Sequence, residues 1–283
     1  MEKKKLENKV AVITGAGSGI GAAVSRRLAE EDALLVINDI NEKRLQSIAA
    51  NIANDKIKIC AGDITRTADA GKIIDTALSF GRGLDILINS AGIDPPDREE
   101  EINRALDIWN RVIEVNLTGS YIMMKLAVPH MVKNGGGAMV NIASLSGIRY
   151  MGGRPSYTAS KGGMISLTQM AAVEYGPVNV RCNVICPGPV RTPLFTNNMR
   201  PLADMLGMDI ECLFSRFTSF SPMRRMGTPE EIAAICSFLV SDDASLITGN
   251  VIIADGGSHL VDVNGAAMSG LVPPPENHRK SGK

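Results

Sequence analysis

Seven short apolar runs rich in β-branched residues constrain the fold of this 283-residue chain more than any other feature. Amphipathic stretches separate them, and the runs are predicted strands at Val10–Thr14, Leu34–Asn38, Ile57–Cys60, Leu84–Asn89, Met139–Ala143, Val180–Ile185 and Val251–Ala254. Continuous apolar strands that alternate with helices are typical of a parallel sheet buried on both faces, because parallel neighbours need crossover helices. The pattern predicts an α/β fold, a doubly wound seven-stranded parallel sheet flanked by helices.

Charge and composition exclude several classes of partner. The 30 basic and 30 acidic side chains cancel, and no basic run is interleaved with aromatic residues. Nucleic acid is therefore not an expected partner. The first nine residues are charged and lead directly into the first strand, and no apolar run approaches membrane-spanning length. We expect a cytoplasmic protein without a membrane partner.

The five cysteines, Cys60, Cys182, Cys186, Cys212 and Cys236, include no Cys-x-x-Cys pair. Together with three scattered histidines they do not form a zinc-ligand pattern, so no metal is expected. Cys182 and Cys186 fall in and just after a predicted strand, where packing is the expected role and redox chemistry the alternative.

A single domain is predicted over residues 1–258, with an insertion after strand six at about 189–227. The insertion is apolar, irregularly spaced and beyond the carboxyl end of a strand, where ligands bind in open α/β sheets. We interpret it as a lid over the substrate; an ordinary helical insertion packed on the core is the alternative. The tail, residues 259–283, is polar and proline-rich, which favours a flexible segment.

A glycine-rich loop, Thr14-Gly15-Ala16-Gly17-Ser18-Gly19-Ile20-Gly21, directly follows the first strand. An amphipathic helix follows it and is predicted to reach about Glu31. Glycines permit a tight turn and close approach of a pyrophosphate, whose charge is met by free N–H groups at the helix N-terminus. The strand before and the helix after favour a phosphate site over a purely structural turn.

Asp39 ends the second strand, 18 residues after Gly21. A carboxylate there can accept hydrogen bonds from both hydroxyls of an adenosine ribose, which predicts NAD. A 2′-phosphate would be repelled, and neither Ser18 nor Ile40 supplies a cation to receive one. Asp39 also fits a turn aspartate before a helix cap, and the two roles are compatible.

Tyr157 and Lys161 lie one turn apart on a predicted helix that runs toward Tyr175. A neighbouring ammonium stabilises a phenolate and is expected to lower the pKa of the tyrosine into a useful range. Ser144, at the end of strand five, can hydrogen-bond a substrate oxygen, and Asn116 can hold a water or a backbone group in a proton path. Taken singly, Ser144 could be a turn serine, Asn116 a helix-break residue and Lys161 a solvated charge.

Taken together, these motifs resemble the single-domain branch of the short-chain dehydrogenase/reductases, whose fold is Rossmann-like. The resemblance covers about Leu6 to Gly257 and also rests on Gly62-Asp63-Ile64, Asn89-Ser90-Ala91-Gly92, Pro187-Gly188, Ile247-Thr248-Gly249 and Asp255-Gly256-Gly257. It implies a catalytic set of Asn116, Ser144, Tyr157 and Lys161. It implies NAD contacts by Gly15, Gly17, Ser18, Gly19, Ile20, Gly21, Asp39, Ile40, Asp63, Ile64, Asn89, Ala91, Gly92, Tyr157, Lys161, Pro187, Gly188, Val190 and Thr192. Ser90 departs from the asparagine usual in the family, a change expected to be neutral.

The resemblance implies an enzyme that transfers a hydride between NAD(H) and a small-molecule secondary alcohol or ketone, with an apolar cyclic or aromatic substrate expected. The alternatives are reduction of an acyl or enoyl group on the same scaffold, epimerisation, and a non-catalytic NAD-binding regulator. Substrate walls are predicted within Ile93–Asp97, Arg149–Gly153 and the lid, with contacts from Ile93, Ser144, Ser146, Met151, Tyr157 and Gly188. Arg149 and Arg154 could receive an anionic substrate end or face solvent.

The resemblance also implies a homotetramer. The pairing is expected to involve two helices, those containing Tyr121–Val132 and Tyr157–Tyr175.

Overall fold

The computed structural model describes residues 5–52, 54–81, 83–94, 106–150 and 152–262. Within these ranges seven parallel strands form one sheet in the order β3-β2-β1-β4-β5-β6-β7. The strands are β1 (Val10–Thr14), β2 (Leu34–Asn38), β3 (Ile57–Ile59), β4 (Ile86–Asn89), β5 (Gly137–Ile142), β6 (Val180–Pro187) and β7 (Val251–Ala254). The predicted doubly wound parallel sheet is confirmed.

β1, β2 and β7 have the predicted bounds, and the ends of the other four strands differ from the prediction by one or two residues. β6 continues to Pro187 because Cys186 and Pro187 pair with Ile253 and Ala254 of β7. β4 begins at Ile86 rather than at residue 84, and β5 begins at Gly137 and ends at Ile142, while β3 ends at Ile59. These boundaries follow from which neighbouring strand continues far enough to pair, a property that no single apolar run contains.

Nine α-helices cover the sheet within the described residues. They are α1 (Gly19–Glu30), α2 (Glu42–Ala49), α3 (Thr67–Phe80), α4 (Leu106–Ile113), α5 (Ser120–Lys133), α6 (Pro155–Tyr175), α7 (Pro193–Met205), α8 (Ile210–Thr218) and α9 (Pro229–Val240). α6 begins two residues before the predicted start, since Pro155 has a backbone suited to a first helical turn.

The buried residues of β1 divide between two cores, one on each face of the sheet. Ala11 and Ile13 pack with α1 and α9, whereas Val10 and Val12 pack with α3 and α5. Side chains alternate between the two faces of a strand, so a strand apolar at every position requires cover on both sides. The helical layers provide that cover.

A π-helical segment, Glu114–Gly119, joins α4 to α5 without a loop. Such wide turns occur mostly as single insertions in α-helices, frequently at functional sites. Asn116 lies within it and is completely buried.

The interval after β6 folds as α7 and α8. Thr192 caps α7 and Asp209 caps α8, each side chain accepting a main-chain N–H of the helix that it precedes. The two helices share an apolar cluster of their own, built on Met199, Ala203, Leu213, Phe214 and Met226. The predicted tail lies outside the described residues beyond 262, and none of the helices described is long and apolar enough to cross a membrane.

Candidate active site

One cavity of about 630 Å³ runs along the carboxyl ends of the strands, from Asp39 at one end to α7 and α8 at the other. It opens where β2 and β4 flank β1, the point at which the order of the strands reverses. The predicted site residues that line it are Gly15, Ser18, Gly19, Ile20, Asp39, Ile40, Asp63, Ile64, Ala91, Gly92, Ile93, Ser144, Ser146, Tyr157, Lys161, Pro187, Gly188, Val190 and Thr192.

Four predicted residues lie behind the wall of the cavity. Gly17 donates its main-chain N–H to Asp39 Oδ2 at 3.1 Å, and a Cβ on Gly21 would stand 2.3 Å from the carbonyl oxygen of Gly15. Asn89 is buried and donates to Asn141 Oδ1 at 2.9 Å. The fourth is Asn116. These residues hold others in position, while Met151 and residues 95–97 lie outside the described residues.

The glycine loop is tightly packed against β4. Gly15 has a φ of +64°, and a Cβ there would lie 2.6 Å from Ala91 Cα. Thr14 Oγ1 accepts the main-chain N–H groups of Ser90 and Ala91, both at 3.2 Å. Ser18 precedes α1 with extended backbone, so the first N–H groups of that helix point toward the cavity. The loop has the construction of an anion cradle.

Asp39 combines the two roles open to it. Its Oδ2 accepts from Gly17 and its Oδ1 accepts from the main-chain N–H of Asn41 at 2.9 Å, which orients the carboxylate toward the cavity. An ionised carboxylate has about four acceptor positions, so it can also accept from two ribose hydroxyls. Asn41 in turn caps α2.

Two arginines in the cavity wall did not follow from the sequence. Arg44 projects from the first turn of α2 beside Asp39, and Arg111 of α4 donates to Asp63 Oδ2 at 3.1 Å. Partial burial raises the pKa of Asp63, but hydrogen bonds from Thr65 and Arg111 outweigh it and hold that pKa below its ordinary value. The position of Arg44 three residues after Asn41, in the predicted helix-cap region, was the available signal for Arg44, and no signal pointed to Arg111.

Ser144 and Tyr157 meet across the cavity floor. Ser144 Oγ accepts from the main-chain N–H of Ser146 at 3.1 Å, which fixes its side chain at the end of β5. Burial, with a smaller contribution from the charge of Asp94, raises the pKa of the Tyr157 hydroxyl to about 12, although a hydrogen bond with Ser144 acts in the opposite direction. The expectation of a lowered tyrosine pKa is therefore wrong for the protein without a bound ligand, because desolvation of the phenolate dominates.

Lys161 is 5% exposed, so it is not a solvated helix charge. Its Nζ donates to the carbonyl oxygen of Ile142 at 2.9 Å and stands 5.6 Å from the centre of the Tyr157 ring. Burial lowers the pKa of Lys161 to about 8, and the negative charge of Asp94 acts in the opposite direction. The ammonium thus lies beside the tyrosine ring while it bonds to a carbonyl group.

Asn116 clamps the loop that follows β4. Its Oδ1 accepts from the main-chain N–H of Ile93 at 2.7 Å, and its Nδ2 donates to the carbonyl oxygen of Ile93 at 2.9 Å. The same Nδ2 lies 3.1 Å from Ser160 Oγ, one residue before Lys161. Asn116 therefore holds a backbone group, one of the two roles expected of it.

The end of the cavity near α7 and α8 is lined by Leu145, Leu194, Phe195 and Phe217, with one charged pair among them. Arg154 Nη1 lies 2.5 Å from Asp94 Oδ2. Arg154 is therefore neither a free cation nor a solvated one. Arg149 is exposed and donates to the carbonyl oxygen of His259.

All five cysteines are free thiols, and Cys182 and Cys186 are buried, as expected of packing residues. Burial raises the pKa of the Cys182 thiol to about 12 and that of Cys186 to about 11. Among the residues that the structure describes, no three of the histidine, cysteine and acidic side chains form a group that could hold a metal ion.

Known proteins resemble this chain over most of its length. A family model described as enoyl-(acyl carrier protein) reductase matches residues 15–259. The NAD-dependent glycerol dehydrogenase of Listeria innocua is 36% identical over 252 residues, which are 89% of this chain and 94% of that protein. The 2,5-dichloro-2,5-cyclohexadiene-1,4-diol dehydrogenase LinX of Sphingobium indicum is 38% identical over 255 residues, 89% and 97% of the two chains. The crystal structure of levodione reductase superposes with a TM-score of 0.86 at 31% identity and covers 91% of this chain and 100% of its own.

Proposed function

The chain belongs to the short-chain dehydrogenase/reductase family, and from that premise we propose that it is an NAD-dependent oxidoreductase that interconverts a secondary alcohol and a ketone. The observation that carries the proposal is that Ser144, Tyr157 and Lys161 share one cavity with the glycine loop and Asp39. A proton-transferring hydroxyl and a dinucleotide-sized groove in continuity are what this reaction requires.

The residues of the groove fit NAD. Main-chain N–H groups at the start of α1 suit a pyrophosphate, and the oriented carboxylate of Asp39 suits a ribose without a 2′-phosphate. The hydroxyl of Thr192 accepts from Phe195 at 3.2 Å and keeps its own hydrogen as a donor toward the groove. When bound, NAD supplies the redox-active nicotinamide ring.

The protein's own residues handle the proton. In the oxidation of an alcohol, Tyr157 takes the proton from the substrate hydroxyl, and Ser144 stabilises the oxygen as negative charge develops on it. Lys161 supplies positive charge beside the phenol ring. Asn116 keeps the main chain of Ile93 against this site, which preserves the distance between the substrate loop and the catalytic hydroxyl.

We further propose that the domain spans residues 1–258 and that 189–227 forms a lid over an apolar cyclic substrate. In support, α7 and α8 pack on each other through their own apolar cluster, while Leu194, Phe195 and Phe217 line the cavity. Two relatives act, by name, on glycerol and on a cyclohexadiene-diol, so both small polyols and rings belong in a substrate screen.

Formation of NADH from a panel of cyclic, aromatic and acyclic secondary alcohols tests the proposal, with Tyr157→Phe as the blank. We expect stoichiometric NADH and ketone from at least one alcohol. Binding of NAD without turnover of any alcohol would instead favour a non-catalytic regulator. Because the matching family model is described as an enoyl reductase, a second arm measures the consumption of NADH with an enoyl thioester. Turnover confined to that arm would replace the alcohol proposal with enoyl reduction.

We also propose a homotetramer that associates through α5 and α6. Large apolar side chains are exposed on both helices, Tyr121 and Val132 on α5 and Met170 and Val173 on α6, and Val173 is 80% exposed. Exposed apolar side chains on adjacent helices favour self-association. Light scattering coupled to gel filtration should give four times the chain mass.

We also propose the cytoplasm as the compartment of this protein. The five free thiols support this proposal.

A further inference from the structure

The apolar end of the cavity contains two buried side chains of opposite charge. Arg154 and Asp94 are joined at 2.5 Å, and their side chains are only 13% and 6% exposed. Removing two charges from water is costly, and their mutual attraction repays it only when further hydrogen bonds satisfy the remaining donors and acceptors. Apolar residues would fill the same wall more stably. The presence of a charged pair at this position therefore indicates that the pair interacts with the molecule bound in the cavity.

A third residue fixes the pair to the lid. Asn198 of α7 is 5% exposed, and its Nδ2 donates to both the carbonyl oxygen and Oδ2 of Asp94 at 3.0 Å. The Asp94–Arg154–Asn198 cluster therefore joins the loop after β4, the residue that precedes α6, and the first lid helix. These elements are otherwise remote from one another in the chain.

The cluster is also held at a defined position relative to the catalytic hydroxyl. Arg154 stands three residues before Tyr157, as the cap residue of α6. Asp94 follows Ile93, whose main chain Asn116 grips from both sides. Both residues of the pair line the cavity that Tyr157 and Ser144 also line. A substrate bound at Tyr157 can therefore extend a second group toward the cluster.

The charges of the pair select the chemistry of that second group. The two charges neutralise each other, so neither is left to attract a charged substrate group. A carboxylate would also be repelled by Asp94, and an amine by Arg154. A neutral oxygen suits both partners: it accepts from a guanidinium, which carries five N–H donors, and a hydroxyl also donates to a carboxylate. A substrate with a single oxygen would use Ser144 and Tyr157 and leave the cluster against hydrocarbon.

We infer that the Asp94–Arg154–Asn198 cluster is a specificity site for a second, neutral oxygen of the substrate. The preferred substrates are then diols, polyols or hydroxyketones, in preference to simple monoalcohols and hydroxy acids. The inference rests on the proposed function and specifies its substrate class. It also replaces the view of Arg154 as a receptor for an anionic substrate end.

Initial rates of NADH formation test the inference with four substrates of one ring size: cyclohexanol, 1,2-cyclohexanediol, 1,4-cyclohexanediol and 3-hydroxycyclohexanecarboxylate. For the wild type, kcat/KM for at least one diol should exceed that for cyclohexanol by about 10- to 100-fold, mostly through KM, as expected for a hydrogen bond to a charged group. The carboxylate should be the poorest of the four.

Asp94→Asn should abolish the preference for the diol and, because Arg154 keeps its charge, raise the rate with the carboxylate relative to the diol. Asn198→Ala leaves the ion pair in place and should reduce the preference by a smaller factor, which covers the case in which Asp94→Asn fails to fold. Asp243→Asn is the matched control. The same change there breaks the exposed ion pair with Lys5, outside the cavity, and should leave the preference intact.

Equal kcat/KM for cyclohexanol and every diol, or a diol preference that survives both cluster variants, would overturn the inference and leave the proposed function standing. If no alcohol is oxidised, the proposed function fails instead. Calorimetric binding of the same compounds to Tyr157→Phe loaded with NADH then decides the inference separately. Tighter binding of a diol that is weakened by Asp94→Asn supports it, and equal binding of cyclohexanol refutes it.

Discussion

The two ends of the cavity are built in different ways. At the end near Asp39, main-chain groups and glycines form the wall, and Gly17 and Asn41 orient the Asp39 carboxylate through their N–H groups. At the end near the lid, side chains form the wall, and the bonds of Asp94 to Arg154 and Asn198 bridge 60 and 104 residues of chain. The first end recognises a constant cofactor with local structure. The second discriminates substrates with residues assembled from distant elements.

The largest expected effect concerns the proton transfer itself rather than binding at either end of the cavity. Tyr157→Phe should lower kcat for alcohol oxidation by about 100- to 10,000-fold, because it removes the group that accepts the proton and leaves the ring in place. The dissociation constant of NAD, measured by calorimetry, should change by less than about 2-fold. A variant that retains near wild-type kcat would refute the role of Tyr157.

The cofactor end should be sensitive to a single added methyl group. Gly15→Ala introduces a Cβ at 2.6 Å from Ala91 Cα on backbone with a φ of +64°. We expect a loss of about 2–4 kcal/mol in the free energy of unfolding by urea, from backbone strain and overpacking together.

Gly71→Ala is the matched control for this change. Gly71 lies inside α3 with open space around its Cβ position, so alanine there should stabilise the protein by about 0.5–1 kcal/mol. Equal effects of the two substitutions would show that the glycine loop is not the constrained turn described above.

Asp39→Asn should weaken the cofactor end alone. The loss of charge-assisted hydrogen bonds to a ribose predicts a rise in KM for NAD of about 10-fold, with the KM of the alcohol unchanged. Discrimination against a cofactor with a 2′-phosphate should also decrease, since the repelling charge is gone. Asp75→Asn, on the exposed face of α3, is the control and should alter neither KM. An unchanged KM for NAD in Asp39→Asn would contradict the assignment.

The pH dependence should report on the charges of the substrate end. Burial and the charge of Asp94 raise the pKa of Tyr157 to about 12, so kcat for oxidation, which needs the phenolate, should rise with pH below that value. Ketone reduction starts from the neutral phenol, which a pKa of about 12 preserves at pH 8. Its rate should instead decline above pH 8, because Lys161, with a pKa of about 8, then loses the charge that stabilises the phenolate formed as Tyr157 gives up its proton.

The carboxylate of Asp94 raises both of these pKa values. Asp94→Asn should therefore move both rate profiles to lower pH, whereas Asp243→Asn should move neither. Profiles that coincide for wild type and Asp94→Asn would show that the cluster does not act on the catalytic pair.

The smallest expected effect belongs to the apolar wall. Phe217 packs edge-on against Phe195 at 5.9 Å between ring centres, and both line the cavity. Phe217→Ala should raise KM for a cyclic alcohol by about 2- to 10-fold without a change in KM for NAD, because one aromatic contact is lost. Phe238→Ala, on α9 and outside the cavity, should leave both constants unaltered. A rise in KM for NAD in Phe217→Ala would contradict the division of the cavity into a cofactor end and a substrate end.

The same division explains what could be predicted from sequence. The glycine loop, Asp39 and the seven strands are local patterns, so their positions follow from residues within one strand–turn–helix unit. The pairing of Arg154 with Asp94, the contribution of Asn198 and the contact of Arg111 with Asp63 depend on long-range packing, which a segment read alone does not contain.

The pKa of Tyr157 illustrates a second limit. The presence of Lys161 one turn away predicts a lowered pKa, yet the sum of burial and the charge of Asp94 raises it. The sign of such a shift depends on how deeply the hydroxyl is buried and on which charges converge on it. Both quantities exist only in the folded chain.

The wide turn at Glu114–Gly119 makes the register between α4 and α5 depend on a single amino acid. The π-helical turn contains one residue more than an α-helical turn. The extra residue rotates the helix that follows by about 100° relative to the helix that precedes it. Removing Leu117 would close the turn to regular α-helix. Either α5 would then lose the face that packs on the sheet, or Asn116 would leave Ile93. The number of residues in this segment, as well as their types, therefore determines whether Asn116 reaches its place in the active site.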